Sequence, residues 1–317
     1  MPLSDDPKVN ETADQLVTGL RGAFKTPQEF RAAHARGKLV TGTFAPSAEA
    51  GKLSKAPHFH RPVPLIVRFS NSTGLPQIPD TDPNGMPRGM AVRFVLSENG
   101  HRHTDVVFHS TNAFPARTGE EFLEVLAAIG DGSLGDYLES HPAAARFVNE
   151  PKPFPTSFGT LAYFGLHAFR LVPETGKETV VRYLIEPVAG VHTLSAEEVA
   201  QKSNTYLFDE LEQHLSTSPI EFKLLAQIAE AGDPTNDVTK HWPESRKKVE
   251  LGIIKLDKSV VEPQDARDQK RIIFDPIPRV DGVEASDDPL LEMRAAVYLI
   301  GGKERRAAPD VTAAGLA

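Results

Sequence analysis

The feature that most constrains the fold is a succession of short apolar runs, rich in β-branched and aromatic residues and separated by Gly, Pro and Asn. Runs of this kind are typical of antiparallel strands, and several in succession predict a barrel or a sandwich. Residues 220–231 alternate in a way that fits either a strand or a helix, and a barrel favours the strand. The other predicted strands are residues 39–44, 63–69, 90–96, 104–109, 161–171, 179–186 and 249–257.

Helical spacing of apolar residues occurs before, between and after these runs. Residues 13–24 carry it, and residues 27–36 are expected to form a second helix because Thr26 is suited to an N-cap. A last helix over residues 287–299 is expected to end just before Gly301-Gly302. The remaining predicted helices are residues 120–129, 134–148 and 196–215.

These patterns divide the 317 residues into three parts. Residues 1–36 are predicted to be a helical N-terminal segment, and residues 37–306 a barrel domain with its own helices. Residues 307–317 are small and poor in polar groups, so we expect a flexible C-terminal tail. The predicted class is therefore α+β, with a β-barrel or a β-sandwich at its core.

Composition excludes several classes of function. The chain has no cysteine, which rules out disulfides, thiolate-ligated zinc or iron–sulfur clusters, and cysteine nucleophiles. The net charge of −8, without a basic stretch, argues against nucleic acid as the main partner. No run of 18 apolar residues predicts a membrane span, and the first residues lack the features of a signal peptide. We therefore expect a cytoplasmic protein, or a periplasmic one if a signal was removed.

Several weaker signals favour structural interpretations. The pairs His58/His60 and His101/His103 could ligate a metal from one face of a strand, but neither has a third ligand at a characteristic spacing. We interpret them as solvated histidines of loops or strand edges. Trp242 is interpreted as a packing anchor. No Gly-rich phosphate loop follows a strand, and there is no Gly-x-Ser-x-Gly motif, so nucleotide and serine-hydrolase chemistry lack support.

The most informative stretch is residues 294–298, because Arg294 and Tyr298 are four apart on a predicted helix. Residues at this spacing share a helix face, so the guanidinium can reach the phenolic oxygen. A neighbouring Arg favours the phenolate form of a tyrosine, and a phenolate is a hard ligand suited to ferric iron. Taken alone, Arg-x-x-x-Tyr is common and usually marks a surface pair, so its significance depends on the rest of the chain.

Six short blocks follow one another along the chain: residues 31–37, 67–70, 87–94, 237–243, 274–276 and 294–298. In this order they resemble the haem catalase family, and specifically the short catalase-related peroxidases. The resemblance covers roughly residues 20–306, and six ordered blocks are far more specific than one short motif.

The resemblance implies an eight-stranded antiparallel barrel wrapped by helices, with haem (haem b is expected) bound inside. Tyr298 would be the iron ligand, with Arg294 holding it as a phenolate. His34 would be the distal acid–base residue and Ser70 its hydrogen-bonding support. The remaining implied contacts are Arg31, Arg68 and Arg305 on the haem propionates, and Phe122 and Phe274 packed on the macrocycle; plain core aromatics are the alternative for the last two.

The function implied by the resemblance is a haem-dependent peroxidase, an oxidoreductase that reduces hydrogen peroxide or organic hydroperoxides with a small-molecule electron donor. His34 would move the peroxide proton while the anionic Tyr298 supports O–O cleavage to a ferryl intermediate. One alternative is a true catalase that disproportionates hydrogen peroxide. Another is a haem carrier or sensor without turnover, which His34 and Arg294 argue against because a carrier needs no acid–base group.

The sequence departs from the family pattern at the distal asparagine. An alignment without gaps places His109 there, whereas a shift of three residues would offer Asn112. We prefer His109, since the same alignment also places Phe122 correctly. Ala33 and Ser72 stand where large catalases have valine, which should widen the approach to haem. Together with the short chain, these departures favour a peroxidase, and we expect a homo-oligomer, more readily a dimer than an interlocked tetramer.

Overall fold

A closed, eight-stranded antiparallel barrel forms the centre of the computed structural model, which describes residues 2–310. The strands follow the order β4-β3-β2-β1-β8-β7-β6-β5, and His109 of β4 pairs with Phe164 of β5 to close the barrel. A ninth strand, β9, adds to the outer edge of β5. The strands are β1 (Gly37–Pro46), β2 (Val63–Ser70), β3 (Gly89–Val95), β4 (His103–His109), β5 (Tyr163–Leu171), β6 (Thr179–Pro187), β7 (Ile220–Ile228), β8 (Lys248–Ser259) and β9 (Val283–Ala285).

Alternation along the strands places large apolar side chains inside the barrel. Each strand is antiparallel to its neighbours, so inward-facing residues of adjacent strands meet and form one continuous core. The largest of these side chains are fully buried and pack edge to face or offset. They include Phe44, Phe69, Phe94, Tyr163 and Phe222. Phe158, in the turn before β5, stacks on Phe69.

Helices cover the barrel, and α1, α3 and α9 pack together beside it around Leu16, Met293 and Ala296. Both α1 and α9 begin in the same way, with an aspartate N-cap followed by proline. None of the helices in residues 2–310 is both long enough and apolar enough to span a lipid bilayer. The helices are α1 (Pro7–Phe24), α2 (Ala50–Leu53), α3 (Gly119–Asp131), α4 (Leu134–Ser140), α5 (Pro142–Asn149), α6 (Ala196–Ala200), α7 (Tyr206–Thr217), α8 (Gln264–Arg271) and α9 (Pro289–Ala307).

All predicted strands are present, and residues 220–228 are a strand, as the barrel favoured. The predicted helix over residues 27–36 is wrong, because this segment consists of turns. Thr26 caps no helix, and its hydroxyl is buried without a hydrogen-bond partner. The backbone N–H groups of His34 and Ala35 instead donate to the carbonyls of residues 72 and 73, which ties the segment to the loop after β2.

Three other helix boundaries differ from the prediction. Residues 134–148 form two helices divided before Pro142, and residues 201–205 interrupt the predicted helix 196–215. The last helix continues through Gly301-Gly302 to residue 307, well past its predicted end. A Cβ at Gly302 would lie 2.3 Å from Ile273 Cδ1, so close packing, and not helix termination, explains this glycine.

Two further interpretations are revised by burial. His58 is only 2% exposed and lies among Phe44, Phe59 and Phe94, so it is a core residue and not a solvated histidine. At the C-terminus, Lys270 donates to the backbone oxygen of Ala308. The rest of the predicted tail, residues 311–317, lies outside the described residues. The proposed division into three parts stays a prediction, although α1 shares its apolar cluster with α9.

Candidate active site

A cavity of about 400 Å³, here called the central cavity, lies between the barrel wall and the helices α1, α3, α4, α5 and α9. Strands β2, β3 and β4 form its inner wall. Helix α9 lines it with residues spaced along one side, among them Arg294, Tyr298 and Arg305. All ten residues predicted from the sequence line it, although they come from distant parts of the chain. They are Arg31, His34, Arg68, Ser70, His109, Phe122, Phe274, Arg294, Tyr298 and Arg305.

Arg294 and Tyr298 form the pair expected from their helical spacing. The Nε and NH2 groups of Arg294 donate to Tyr298 Oη over 3.1 and 2.7 Å. Two donors from one cationic group stabilise negative charge on the phenolic oxygen more than a single neutral donor does. Arg294 therefore fixes the direction in which the Tyr298 oxygen presents its remaining lone pair.

Arg294 is itself held by two residues that the sequence reasoning missed. His167 of β5 accepts a hydrogen bond at Nε2 from Arg294 NH1 over 2.7 Å, and its Nδ1 lies 2.9 Å from Asp288 Oδ2. The other oxygen of Asp288 caps α9 by accepting from Leu290 N. We call Asp288, His167, Arg294 and Tyr298 the tyrosine cluster. Of the two missed residues, only Asp288 has a recognisable sequence pattern, because it precedes Pro289 at the start of a predicted helix, a position typical of an N-cap.

The electrostatics of the tyrosine cluster keep His167 neutral. Burial lowers its pKa, and the hydrogen bond to Asp288 only partly opposes this effect. A neutral imidazole that donates from Nδ1 to a carboxylate must accept at Nε2, which is the nitrogen facing Arg294. Asp288 thus selects the tautomer of His167, and His167 fixes the orientation of Arg294.

His34 occupies a strained position in the irregular segment after α1. Its φ is 56°, in the left-handed region that non-glycine residues rarely adopt. His34 Nδ1 lies 3.1 Å from Ser70 Oγ at the end of β2, which leaves Nε2 for a ligand. A Cβ at Gly89 would lie 2.6 Å from Ser70 Oγ and 2.9 Å from His34 Nδ1, so only glycine permits this approach.

Burial makes His34 a neutral base at physiological pH. It lowers the pKa of His34 to about 4, and the positive charges of Arg68 and Arg294 act in the same direction. A group that must accept a proton has to be unprotonated when substrate arrives. His34 meets this condition over the whole neutral range.

His109, at the end of β4, is the other histidine in the central cavity. Its ring stacks on that of His34, with centroids 5.7 Å apart and 28° between the planes. Burial lowers its pKa well below the ordinary value, and Arg294 adds to the effect. Asn112, the alternative from the shifted alignment, is not among the residues that line the cavity. We call His34, Ser70 and His109 the histidine cluster.

Three arginines meet at one edge of the cavity: Arg68 and Arg305 are buried, and Arg31 is partly buried. Burial is the main cause that lowers their pKa values, to about 9 for Arg68 and about 10 for Arg305, and Arg68 and Arg305 both repel the Arg31 charge. Their hydrogen bonds within residues 2–310 go to backbone and amide oxygens rather than to carboxylates. Buried cations without paired anions are costly. This edge therefore fits a ligand with free carboxylates.

Aromatic side chains complete the cavity walls. Phe122 of α3 packs on Phe114, with ring centroids 5.4 Å apart. Phe274 lies under the Arg93 guanidinium, which also binds Asp105 through two hydrogen bonds of 2.8 Å. Asp105 in turn accepts from the backbone N–H of Asp275, so the loop carrying Phe274 is fastened to the barrel.

The residues present fit a haem. The central cavity combines aromatic walls, one tyrosine oxygen held by two cationic donors, and three arginines placed for carboxylates. Gly301 and Gly302, about one turn after Tyr298 on α9, also line the cavity.

Comparison with known proteins agrees with this geometry. The catalase family profile matches residues 27–310. The chain belongs to the catalase family. It is 35% identical over 303 residues to a catalase-related peroxidase of Mycolicibacterium paratuberculosis, covering 93% of this chain and 95% of that protein. It is 30% identical to a catalase-related peroxidase of Synechococcus elongatus, covering 93% of this chain and 88% of that protein.

Longer catalases match over the same barrel. Catalase-2 of Bacillus subtilis is 26% identical, and the match covers 84% of this chain but 42% of the longer protein. A bacterial catalase structure superposes with a TM-score of 0.76 at 24% identity, covering 92% of this chain and 60% of that one. The predicted fold and the predicted family of peroxide-using oxidoreductases are thus confirmed, and family membership implies that haem is bound.

Proposed function

We propose that this protein is a haem-dependent peroxidase that reduces hydrogen peroxide or organic hydroperoxides with a small-molecule electron donor. The observation that carries the proposal is the pair of hydrogen bonds from Arg294 to Tyr298 Oη in a cavity that also holds His34. A carrier needs a ligand for its cofactor, but it has no use for a neutral buried base beside it.

The residues of the central cavity have distinct roles in holding the cofactor. Tyr298 would ligate the iron, Arg31, Arg68 and Arg305 would bind the propionates, and Phe122 and Phe274 would contact the macrocycle. We propose haem b, because a chain without cysteine cannot form thioether links to haem. When bound, the haem would supply the redox chemistry that splits the peroxide O–O bond.

His34 performs the proton transfer in the proposed reaction. Its neutral Nε2 accepts a proton from one peroxide oxygen and returns it to the other, so that water or an alcohol leaves as a neutral molecule. Ser70 orients the imidazole through Nδ1, and the left-handed backbone at His34 keeps the ring in the cavity. The tyrosine cluster meanwhile holds the phenolate charge in place, so no proton has to move there.

Two features support a peroxidase over a true catalase. His109 occupies the position where the family is expected to have asparagine, and its ring stacks on that of His34. A second peroxide molecule would therefore meet an imidazole ring instead of a carboxamide. Ala33 and Ser72 also line the central cavity, where their small side chains leave space for larger hydroperoxides or a donor.

Comparing two activities of the purified, haem-loaded protein tests the proposal. Oxidation of a dye donor that exceeds oxygen evolution from hydrogen peroxide supports the peroxidase. Dominant oxygen evolution identifies a catalase, and haem uptake without either activity identifies a carrier or sensor. A protein that takes up no haem overturns the whole proposal.

A homodimer and a cytoplasmic location also remain proposals that come from the sequence alone. Light scattering of the haem-loaded protein would give the oligomeric state, and fractionation of the source cells would give the location.

A further inference from the structure

A second cavity, of about 240 Å³, lies beside the central cavity. It is open to solvent and is bounded by α4, α5, the start of α3 and the loop before β8. Its lining is more polar than that of the central cavity. The residues that line it are Pro115, Arg117, Glu121, Tyr137, Ser140, His141, Pro142, Ala143, Arg146, Asp237, Thr239 and Lys240.

Three cations line this second cavity, and two of them are unpaired. Within the described residues, the side chains of Arg117 and Lys240 form neither a hydrogen bond nor an ion pair. Arg146 uses one nitrogen to donate to the backbone oxygen of Thr239, which leaves its other nitrogens available. Such a group of free donors attracts an anion.

The two carboxylates in the second cavity are already engaged locally. Glu121 accepts from the backbone N–H of Arg117, and Asp237 accepts from both the backbone and the hydroxyl of Thr239. The donors in these bonds are neutral, so both carboxylates keep their charge, and three cations against two carboxylates leave the lining with a net charge of +1. This balance of charge in the cavity favours an anionic ligand.

A stacked aromatic pair lines the second cavity together with these cations. The Tyr137 and His141 rings stack on each other, with centroids 3.7 Å apart and 3° between their planes. His141 Nδ1 bonds to the backbone oxygen of Tyr137, which fixes the ring. A rigid, preformed aromatic pair with cations next to it fits a planar ring that carries a carboxylate.

The second cavity shares a thin wall with the central cavity. Pro115 lines both, and α5 presents Phe147 to the central cavity and Arg146 to the second. Phe114, next to Pro115, has its ring 6.5 Å from that of His109 and 5.4 Å from that of Phe122. An occupant of the second cavity would thus lie a few side chains away from the redox site.

We propose that the second cavity binds the electron donor, and that this donor is a small anionic aromatic reductant such as a phenolic carboxylate. The inference rests on the proposed peroxidase function, for which it names the donor class. The overall reaction is ROOH + 2 AH → ROH + H₂O + 2 A•, where each of two phenolic donor molecules AH loses one electron and one proton and the peroxide O–O bond breaks. Electrons pass through the shared wall, so the donor need not enter the central cavity.

Binding of 4-hydroxycinnamate, with its neutral amide as the matched probe, tests the site directly by calorimetry. The double substitution Arg117→Gln/Lys240→Gln should raise the Kd for the carboxylate about tenfold, because two charge-assisted contacts are lost. It should change the Kd for the amide much less. The control is Arg102→Gln/Lys177→Gln, which removes the same net charge from exposed positions outside the second cavity and should leave both Kd values unchanged.

Steady-state kinetics of the haem-loaded enzyme supply the second measurement. In the Arg117→Gln/Lys240→Gln protein, KM for 4-hydroxycinnamate should rise about tenfold while the single-turnover rate with peroxide stays the same. Equal carboxylate affinity in the two double variants, or no binding to the wild type at millimolar concentration, overturns the donor site. If Arg117→Gln/Lys240→Gln selectively weakens carboxylate binding but the wild-type protein has no peroxidase activity, the anion site is supported and the proposed function is overturned.

Discussion

The tyrosine cluster and the histidine cluster line the same cavity but are built in different ways. In the tyrosine cluster, each polar side chain from Asp288 to Tyr298 has a partner 2.7–3.1 Å away. In the histidine cluster, one contact of 3.1 Å and one ring stack hold three residues from three separate segments. His34 also has a left-handed backbone, whereas Tyr298 lies within a regular helix.

This difference corresponds to two physical tasks. A charge that must stay in place is best held by donors that are themselves fixed, and the tyrosine cluster provides such a chain. A base that exchanges a proton with a passing molecule must keep one nitrogen free, so it cannot be fully bonded. Strain at His34 is compatible with this task, because strained backbone is typical of positions where function constrains the fold.

The largest expected effect comes from removing the iron ligand in the tyrosine cluster. Tyr298→Phe leaves a ring of nearly equal size without an oxygen, so the native haem spectrum should be lost while circular dichroism stays the same. Loss of a residue that only hydrogen-bonds to a metal ligand lowers affinity by roughly 10–100-fold, and loss of the ligand itself should lower haem affinity by more than that. Tyr206→Phe, which removes a buried hydroxyl that bonds to Pro155 O outside the cavity, is the control. A normal spectrum in Tyr298→Phe would show that another residue ligates the iron.

A large but different effect is expected in the histidine cluster. His34→Ala should slow the single-turnover reaction with peroxide by about 10²–10⁴-fold, since a positioned acid–base group contributes that much. The ferric haem spectrum should remain near normal. His109→Ala should cost on the order of tenfold, because orienting peroxide contributes less than proton transfer. If stopped-flow rates show equal losses, His109 shares the proton transfer and the assignment of one base is wrong.

A smaller effect is expected from Asp288, which acts through His167 and Arg294. Asp288→Asn keeps a helix-capping side chain but replaces the carboxylate that selects the His167 tautomer, so haem affinity should fall about 10–100-fold. Asp6→Asn is a matched control, because Asp6 also caps a helix that begins with proline. Haem titration and thermal unfolding of both variants separate the two roles. Equal haem affinities would reduce Asp288 to a capping residue.

The smallest effect concerns pH, through the histidine cluster. His34 accepts a proton only when it is neutral, and its pKa of about 4 lies below the ordinary value of 6.5. The peroxide reaction should therefore stay constant from neutral pH to about 6, lose about a tenth of its rate at pH 5 and about half at pH 4. Asp288→Asn should leave this acid limb unchanged. A limb centred near 6.5 would mean that His34 is more solvated than the structure shows.

Some residues of the site could be predicted because they belong to a local sequence pattern, and others could not because they do not. Arg294 and Tyr298 are four apart in one helix, so their contact follows from local geometry. The ten predicted residues all line the central cavity, which the resemblance implied and spacing alone could not. His167 was missed because a single histidine in a β-strand has no local pattern, and its partners lie more than 100 residues away.

The misjudged elements have a similar cause. Residues 27–36 follow Thr26, a residue suited to an N-cap, but hydrogen bonds to residues 72 and 73 take the backbone N–H groups of His34 and Ala35. Gly301-Gly302 looked like a helix end, yet packing against Ile273 keeps α9 intact to residue 307. His58 was placed in solvent because its aromatic neighbours on β1 and β3 are distant in sequence.

The sequence by itself determined the strands, the helices with strong periodicity, the absence of thiol chemistry and the Arg294–Tyr298 pair. These features depend on side-chain alternation, on composition and on contacts between residues a few positions apart. All three can be recognised from short stretches of sequence. Only the tertiary structure decided that Asp288 and His167 support this pair, that His109 rather than Asn112 enters the cavity, and that a second cavity adjoins the first. Such features arise where barrel closure brings remote segments together, and no local pattern encodes that meeting.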